Sequence, residues 1–204
     1  EPYHLKDFNE GAISIIDAET IDGVQLMTGG FPARYGNRRS GVFDITSRTP
    51  DREQTRVDLG VSFMNSRVTA MGPFANGKGS WLAFGRTGYM GLMFQFIDLA
   101  DLPKPRYQDG FARASYKLSP NHELAVDMLH AGDRYTYDIA ATSGFEDKIN
   151  TREVANNDYK NSYVWTTLKS TLGPQTTVRT MFSGAHVTRA REGYERDVLR
   201  ADPF

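Results

Sequence analysis

The sequence predicts a mainly β protein, because apolar and polar residues alternate over several stretches that turn-forming residues separate. In 56–63, Val57, Leu59 and Val61 fall on one face of a strand, and Arg56 and Asp58 fall on the other. Four further stretches also place every charge on one face: 111–118, 123–129, 163–172 and 177–186. Two weaker stretches, 66–73 and 80–87, bring the expected total to about seven antiparallel strands. In 80–87 the alternation is imperfect, since Arg86 shares a face with Leu82 and Phe84.

Strand length and connection length favour a transmembrane β-barrel over a soluble sandwich, which would also alternate. The strands that contain these stretches are expected to run about 9–11 residues, which is the span of a tilted membrane strand. Short turns at 75–79, 119–122 and 173–175 alternate with two long segments, 88–109 and 132–160, as in barrels with long loops on one side only. The short link at Met64–Asn65 departs from this scheme. The residues expected to face lipid are Val57, Leu59, Val61, Leu124, Val126, Leu168 and Phe182.

Composition excludes several other classes. The chain has 204 residues and no cysteine. Because its net charge is −1, strong attraction to nucleic acid is not expected. Aromatic residues make up 12%, which suits the interface girdles of a membrane barrel. No apolar run approaches the ~18 residues of a membrane-spanning helix. The chain lacks an initiator Met and a signal peptide, and we expect it to be a fragment of a longer protein.

The most distinctive segment is 29–49, which is rich in glycine and lies between two short β-prone runs, 21–28 and 42–46. Glycine reaches backbone angles closed to other residues and Pro32 fixes its own φ, so the residues predict a compact turn. An ordinary hairpin with a glycine-rich loop accounts for this pattern as well as any special motif does. The residues that define the segment are Gly29, Gly30, Phe31, Pro32, Ala33, Arg34, Tyr35, Gly36, Ser40 and Gly41.

This segment resembles the end of the plug domain in TonB-dependent outer-membrane receptors, especially those with a carboxypeptidase-regulatory-like N-terminal domain. The resemblance extends over most of residues 2–135 and fades in the last third. It implies that 1–50 is the C-terminal part of a plug and that 51–204 holds the first strands of a barrel. Barrels of this type have about 22 strands, so about seven form an incomplete barrel whose remainder is expected beyond Phe204.

The family resemblance also implies a function and a location. A receptor of this kind lies in the outer membrane of a Gram-negative cell, captures a scarce solute and imports it with energy delivered by TonB, which pulls on a segment upstream of this chain. The solute is open: a ferric siderophore, a cobalamin, a glycan or a peptide. An extracellular all-β binding or adhesion module without transport is the alternative. A barrel-type hydrolase is the third hypothesis, although the sequence has no visible catalytic constellation.

Candidate functional residues therefore concern binding, and no catalytic residue, cofactor or metal site is expected. The four histidines show no metal-ligand spacing, and the Gly72–Lys78 phosphate-loop frame lacks the Ser or Thr that should follow it. Arg34, Arg38 and Arg39 are expected to pair with carboxylates such as Asp58 or Asp127. The two long segments are predicted to be surface loops that contact solute through Tyr89, Phe94, Phe96, Tyr135, Tyr137 and Asp138.

Overall fold

A computed structural model describes the chain over residues 3–4, 13–32, 35, 41–91, 106–142 and 149–199. For residues 3–4, 137–142, 149–153 and 195–199 it describes the backbone alone. The predicted fold class is confirmed at the level of a mainly β chain with antiparallel sheets. In the described residues, no helix is both long and apolar enough to cross a membrane.

The N-terminal segment, described at residues 3–4, 13–32, 35 and 41–50, contains short elements that form two small pairings. Strand β1 (Tyr3–His4) pairs with β2 (Ile13–Ser14), and a 3-10 helix (Ala18–Thr20) follows. Strand β3 (Ile21–Met27) then pairs antiparallel with β4 (Val42–Ser47). The predicted hairpin around the glycine-rich segment is therefore confirmed.

The rest of the described chain forms one seven-stranded sheet in which each strand pairs with its neighbours in sequence. The predicted number of strands is confirmed, and the sheet starts close to the predicted position. Its strands are β5 (Arg56–Val61), β6 (Asn65–Phe74), β7 (Gly79–Tyr89), β8 (Arg106–Ser119), β9 (His122–Thr142), β10 (Ile149–Gly173) and β11 (Thr176–Leu199).

Short turns connect the strands at one end of this sheet, as predicted. Residues 75–78, 120–121 and 174–175 connect β6 to β7, β8 to β9 and β10 to β11. In the first turn Ala75, Asn76 and Gly77 have φ values of 51°, 55° and 78°, and the Lys78 amide donates to the Ala75 carbonyl at 3.2 Å. The left-handed backbone conformation explains why Asn and Gly occur there.

The prediction of a long loop over 132–160 is wrong, because most of that segment is strand. Strand β9 runs to Thr142 and β10 begins at Ile149, and the two remain paired from Asn150↔Thr142 down to Ser170↔His122. Similarly, residues 106–109 belong to β8. Strands β9, β10 and β11 have 21, 25 and 24 residues, about twice the expected length.

The sheet has two faces of opposite character. The covered face, toward the N-terminal segment, buries Met71, Leu82, Phe84 and Phe111, and Leu129 and Trp165 pack against this cluster. The open face exposes large apolar side chains in the described residues, among them Val57, Leu59, Val61, Val68, Phe74, Leu118, Val126, Met128, Val164, Leu172, Val178 and Phe182. Of the seven residues predicted on the apolar face, five are exposed there, whereas Leu124 and Leu168 are half-buried.

The apolar residues of the open face shift along the strands from one side of the sheet to the other. On β5 they centre on Leu59, whose register line across the sheet runs through Val68, Gly85, Gly110, His130, Ser162 and His186. On β9, four strands from β5, the apolar residues lie within 124–128 and centre on residue 126, which is four residues before His130 (130 − 126 = 4). On β11, six strands from β5, Val178 and Phe182 centre on residue 180, which is six residues before His186 (186 − 180 = 6). The apolar band therefore shifts by one residue per strand toward the end of the sheet that carries the short turns.

Candidate functional site

The contact between the N-terminal segment and the covered face is organised by Arg86 of β7. Its Nη1 donates to the Asp17 carboxylate at 3.0 Å and its Nε donates to the Asp109 carboxylate at 2.9 Å, while Nη2 forms an ion pair with the same Asp109 carboxylate at 2.8 Å. Nη2 also donates to the Ser14 carbonyl at 2.6 Å, and the guanidinium carbon lies 5.4 Å from the centre of the Tyr107 ring. Arg86, Asp17 and Asp109 are called the Arg86 cluster below.

Local structure places Asp17 at the right position for this contact. Its Oδ1 accepts from the Glu19 amide at 3.0 Å and so caps the 3-10 helix, while its Oδ2 accepts a hydrogen bond from Arg86. The Asp17 carbonyl accepts from the Thr20 amide and hydroxyl at 3.0 and 2.7 Å. One carboxylate therefore fixes the turn and connects it to the sheet.

The Arg86 cluster is withdrawn from water. The exposed fractions of its side chains are 9% for Arg86, 6% for Asp17 and 0% for Asp109. Burying charges is costly, so the intact cluster contributes little net stability, whereas removal of one member leaves an uncompensated buried charge. The cluster therefore makes docking of the N-terminal segment sensitive to a single side chain.

Further polar contacts flank the Arg86 cluster. Arg113 of β8 donates to the Asp127 carboxylate at 3.0 Å and to the hydroxyl of Ser47 in β4. At the edges of the interface, the Arg67 and Glu19 side chains pair at 3.2 Å, and Arg52 and Glu123 pair at 2.6 Å. The segment and the sheet are thus joined by charged groups distributed over several strands.

The predicted glycine-rich motif forms the end of the β3–β4 hairpin. Gly30 has a φ of +64°, the Tyr35 amide donates to the Pro32 carbonyl at 2.9 Å, and the Tyr35 hydroxyl donates to the Asp44 carboxylate. Gly29 and Phe31 lie in the same connection, and a Cβ added at Gly41 would lie 3.3 Å from the Met27 carbonyl oxygen. The other motif residues, Ala33, Arg34, Gly36 and Ser40, are outside the described residues.

The residues predicted to contact solute do not form one site in the described part of the chain. Tyr89 ends β7, and its hydroxyl donates to the Ser62 carbonyl at 2.9 Å, across the short β5–β6 link. Phe94 and Phe96 are outside the described residues. Tyr135, Tyr137 and Asp138 lie in β9, so their placement on a loop is wrong.

Tyr135 differs most from the prediction, because it is buried in the covered face. It belongs to a cluster with Met90, Tyr107 and Ala155, against which Ile13 and Tyr159 pack. The Tyr135 and Tyr159 rings meet edge to face at a centroid distance of 6.4 Å. Its solute-binding role stays a prediction, now for a strand position.

The carboxylates assigned to Arg34, Arg38 and Arg39 pair elsewhere. Asp127 pairs with Arg113, and Asp58 pairs with Arg56 at 2.9 Å. Those three arginines lie outside the described residues. Short-range partners on the same sheet thus occupy these two carboxylates.

Sequence reasoning missed the Arg86 cluster, although one signal was visible. Arg86 shares a face with Leu82 and Phe84 because all three side chains point to the covered face. What looked like broken alternation is a charged residue with partners from the N-terminal segment. The partner Asp17 carries no signal of its own in the sequence.

In the described ranges, no cluster of three or more His, Asp or Glu side chains could hold a metal ion. Two histidines on the open face contact serines through Nδ1: His122 contacts Ser170 at 2.9 Å and His130 contacts Ser162 at 2.8 Å. Serine hydrolases instead use Nε2 toward the nucleophile and reserve Nδ1 for a carboxylate.

The chain matches no protein family, no curated protein and no solved structure in the comparisons with known proteins.

Proposed function

We propose that the chain is the plug end and the first seven barrel strands of a TonB-dependent outer-membrane receptor, which binds a scarce solute and imports it. The observation that carries this proposal is the inverted distribution of side chains on the sheet. Charged groups such as Arg86, Asp109 and Asp127 are buried on the covered face, while Leu59, Val61 and Phe182 are exposed on the open face. This is the arrangement expected when lipid solvates the outside and a polar lumen lies inside.

The shift of the apolar band supports a barrel in particular. A shift of one residue per strand means about 3.3 Å along the strand for each ~4.8 Å step across the sheet, which corresponds to a tilt of about 35°. Transmembrane barrel strands tilt by about 35–45°. A flat membrane boundary across tilted strands produces such a shift, whereas the core of a soluble sandwich has no reason to follow it.

The N-terminal segment fits the role of the plug. It lies on the covered face of the sheet, where Ile13 packs against the Tyr135 cluster and where ion pairs and hydrogen bonds through Arg86 and Arg113 join the segment to the sheet. Polar contacts of this kind are replaced by water when the segment moves, so a force applied upstream by TonB rearranges the segment without unfolding the sheet.

The unpaired edges of the sheet also agree with a larger closed structure. Among the described residues, β5 pairs only with β6 and β11 only with β10, which leaves a 24-residue edge strand on β11. A long unpaired edge promotes aggregation, and closure into a barrel removes it. Further strands of the receptor would cover both edges.

One observation argues against the alternative of a soluble adhesion module. Such a module would bury the apolar face against a second sheet. In the described residues nothing covers Val57, Leu59, Val61 or Phe182.

A cross-link between plug and barrel tests the proposed transport function. The chain has no cysteine, so Glu19→Cys with Arg67→Cys introduces a unique pair at a half-exposed contact whose native side chains are 3.2 Å apart. In cells, a short bifunctional thiol reagent should block solute uptake in this variant and leave solute binding at the surface unchanged. The matched control is His122→Cys with Ser170→Cys, a 2.9 Å contact between two strands of the same sheet.

Uptake would be followed with a labelled panel of a ferric siderophore, a cobalamin, an oligosaccharide and a peptide. Loss of uptake of one of them with the Glu19–Arg67 bridge, and not with the His122–Ser170 bridge, supports a moving plug. If neither bridge changes uptake of any solute that the protein binds, the transport proposal fails and the adhesion module is favoured.

A further inference from the structure

The open face carries a cationic cluster just beyond the apolar band, on the side away from the short turns. Arg106 of β8 stands directly opposite Arg134 of β9 in the register, and Lys160 of β10 lies two residues from Asp158, the partner of Arg134. Arg134, Arg106 and Lys160 are all exposed. Asp158 and Glu192, which line the same groove as Arg134, balance them in part, so these five side chains carry a net charge of +1 (3 − 2 = 1).

The opposition of Arg106 and Arg134 is unfavourable by itself. Side chains directly opposite in an antiparallel pair lie about 5 Å apart at Cβ, and like charges at that spacing repel. Arg134 has a carboxylate partner, Asp158, at 2.7 Å, whereas Arg106 has no ion-pair partner in the described part of the chain. An anion that binds both guanidinium groups removes the repulsion, and phosphate fits arginine pairs best because each guanidinium donates two parallel hydrogen bonds.

The surface next to the cluster has grooves that suit the acyl chain of a lipid whose phosphate the cluster binds. A shallow groove of about 560 Å³ lies over Gly85 and Gly110, between Val68 and His130 on the open face. It is continued by a second groove of about 400 Å³ over Ala83 and Ala112. The first groove includes Gln108, two residues from Arg106 on the same face, and the second includes Met128 and Val164 of the apolar band. A chain running along them therefore lies at the depth of the membrane.

We propose that Arg106, Arg134 and Lys160 bind the phosphate of an anionic lipid headgroup, with an acyl chain of the same lipid in the groove over Gly85 and Gly110. This inference rests on the proposed membrane location of the open face. On the other side of the cluster, Thr136, Asn156 and Glu192 line a polar groove of about 320 Å³, which suits a polar headgroup that extends away from the apolar band. Asp158 accepts from Arg134 at 2.7 Å and from Lys160 at 3.4 Å and keeps both side chains beside the site.

The test uses the intact receptor, purified in detergent and incubated with defined lipids before native mass spectrometry. The probes are a phosphorylated glycolipid, phosphatidylglycerol and the neutral lipid phosphatidylcholine, with inorganic pyrophosphate as the soluble competitor. We expect retention of the phosphate-bearing lipids over phosphatidylcholine, with pyrophosphate competing only weakly, since it lacks the acyl chain.

Two variants separate binding from folding. Arg106→Glu places a carboxylate opposite Arg134, so it should maintain or improve strand pairing while lowering retention of the anionic lipids by about tenfold or more. The control is Arg179→Gln. Arg179 is exposed, its side chain is on the other face of the sheet from the proposed site, and it lies near the end with the short turns, so this change should leave retention unchanged. Unchanged lipid retention in the folded Arg106→Glu protein would overturn the proposal, as would equal binding of pyrophosphate and lipid.

Membrane fractionation of the same variants distinguishes this proposal from the proposed function. If the protein is found in the outer membrane but retains no anionic lipid, only the headgroup site is wrong. If the unmodified protein is absent from the membrane, the proposed function itself fails.

Discussion

Replacing Arg86 with Met tests how the N-terminal segment is held on the sheet. Met has a similar length and no charge, so the variant removes the cation and leaves Asp17 and Asp109 buried without it. At about 3 Å and an effective dielectric constant of about 20, each pair is worth about 5 kcal/mol of Coulombic attraction before desolvation is subtracted. Because the three side chains are at most 9% exposed, water screens little of this attraction in the intact protein.

Measured losses on breaking buried pairs are about 3–5 kcal/mol. We expect docking of the segment to weaken by that amount in Arg86→Met, because undocking returns both carboxylates to water. The sheet itself should stay folded, since strand β7 keeps its backbone pairing with β6 and β8.

The assay is limited proteolysis of the intact receptor in detergent, together with thermal unfolding. Cleavage within residues 13–50 should become much faster in Arg86→Met while cleavage within the sheet does not change. The triple variant Arg86→Met, Asp17→Asn, Asp109→Asn removes the buried charges and should recover most of the protection. Unchanged proteolysis in the single variant, or no recovery in the triple variant, would refute the electrostatic reasoning.

Three other predictions concern the two faces and the surface charges. Phe182 and Met181 are adjacent in β11 and are 74% and 61% exposed on opposite faces. Phe182→Arg should therefore cost about 2–4 kcal/mol of stability in a bilayer, while Met181→Arg costs much less. Equal losses would contradict the face assignment. Leu82→Ala should destabilise the protein by about 2–5 kcal/mol in chemical unfolding, because Leu82 is 1% exposed and leaves a cavity; a loss below about 1 kcal/mol would argue against the covered-face core. Hydrogen bonding from Arg134, and then from Lys160, lowers the pKa of Asp158, so its contribution to stability is present above about pH 4 and is lost as the pH falls through the lowered pKa. Unfolding scans should therefore show a small difference between the wild type and Asp158→Asn at pH 7 that shrinks on acidification, and a difference that grows as the pH falls would contradict the predicted sign.

Much of the sheet was predictable from the sequence because the two faces of each strand meet different surroundings. On β9, Leu124, Val126 and Met128 alternate with Glu123 and Asp127, and the structure places Val126 and Met128 on the open face while Asp127 is buried. The short turns were also predictable, since the residues that form them, such as Asn76 and Gly77, adopt left-handed angles that few residues tolerate.

The length of β9 and β10 was not predictable, for a physical reason. Beyond the apolar band the open face becomes polar, with Arg134 exposed there, while the covered face mixes buried Asp133 with buried Tyr135. The alternation of an apolar open face with a polar covered face therefore disappears, although backbone pairing such as Asn157↔Tyr135 continues. Sequence therefore reports where an apolar face ends, and it does not report where pairing ends.

The Arg86 cluster was unpredictable for another reason. Arg86 pairs with Asp17, 69 positions away, and with Asp109, 23 positions away, and no local pattern links them. The burial that makes the contact strong comes from docking of the N-terminal segment, which depends on the tertiary fold. Only the unexpected position of a charge beside Leu82 and Phe84 pointed to it.

Spin-label accessibility across the open face tests the membrane account most directly. Because the chain has no cysteine, single cysteines at positions 59, 126, 180 and 186 of the intact receptor in bilayers can each carry a nitroxide without background labelling from this chain. With strands tilted by about 35°, labels at 59, 126 and 180 should lie at one depth and show high oxygen and low nickel accessibility. The label at 186 should lie about 16 Å nearer the aqueous phase, six residues along the strand at about 3.3 Å each. High nickel accessibility at 59, 126 and 180, or equal depths at 180 and 186, would contradict the placement of this face in lipid.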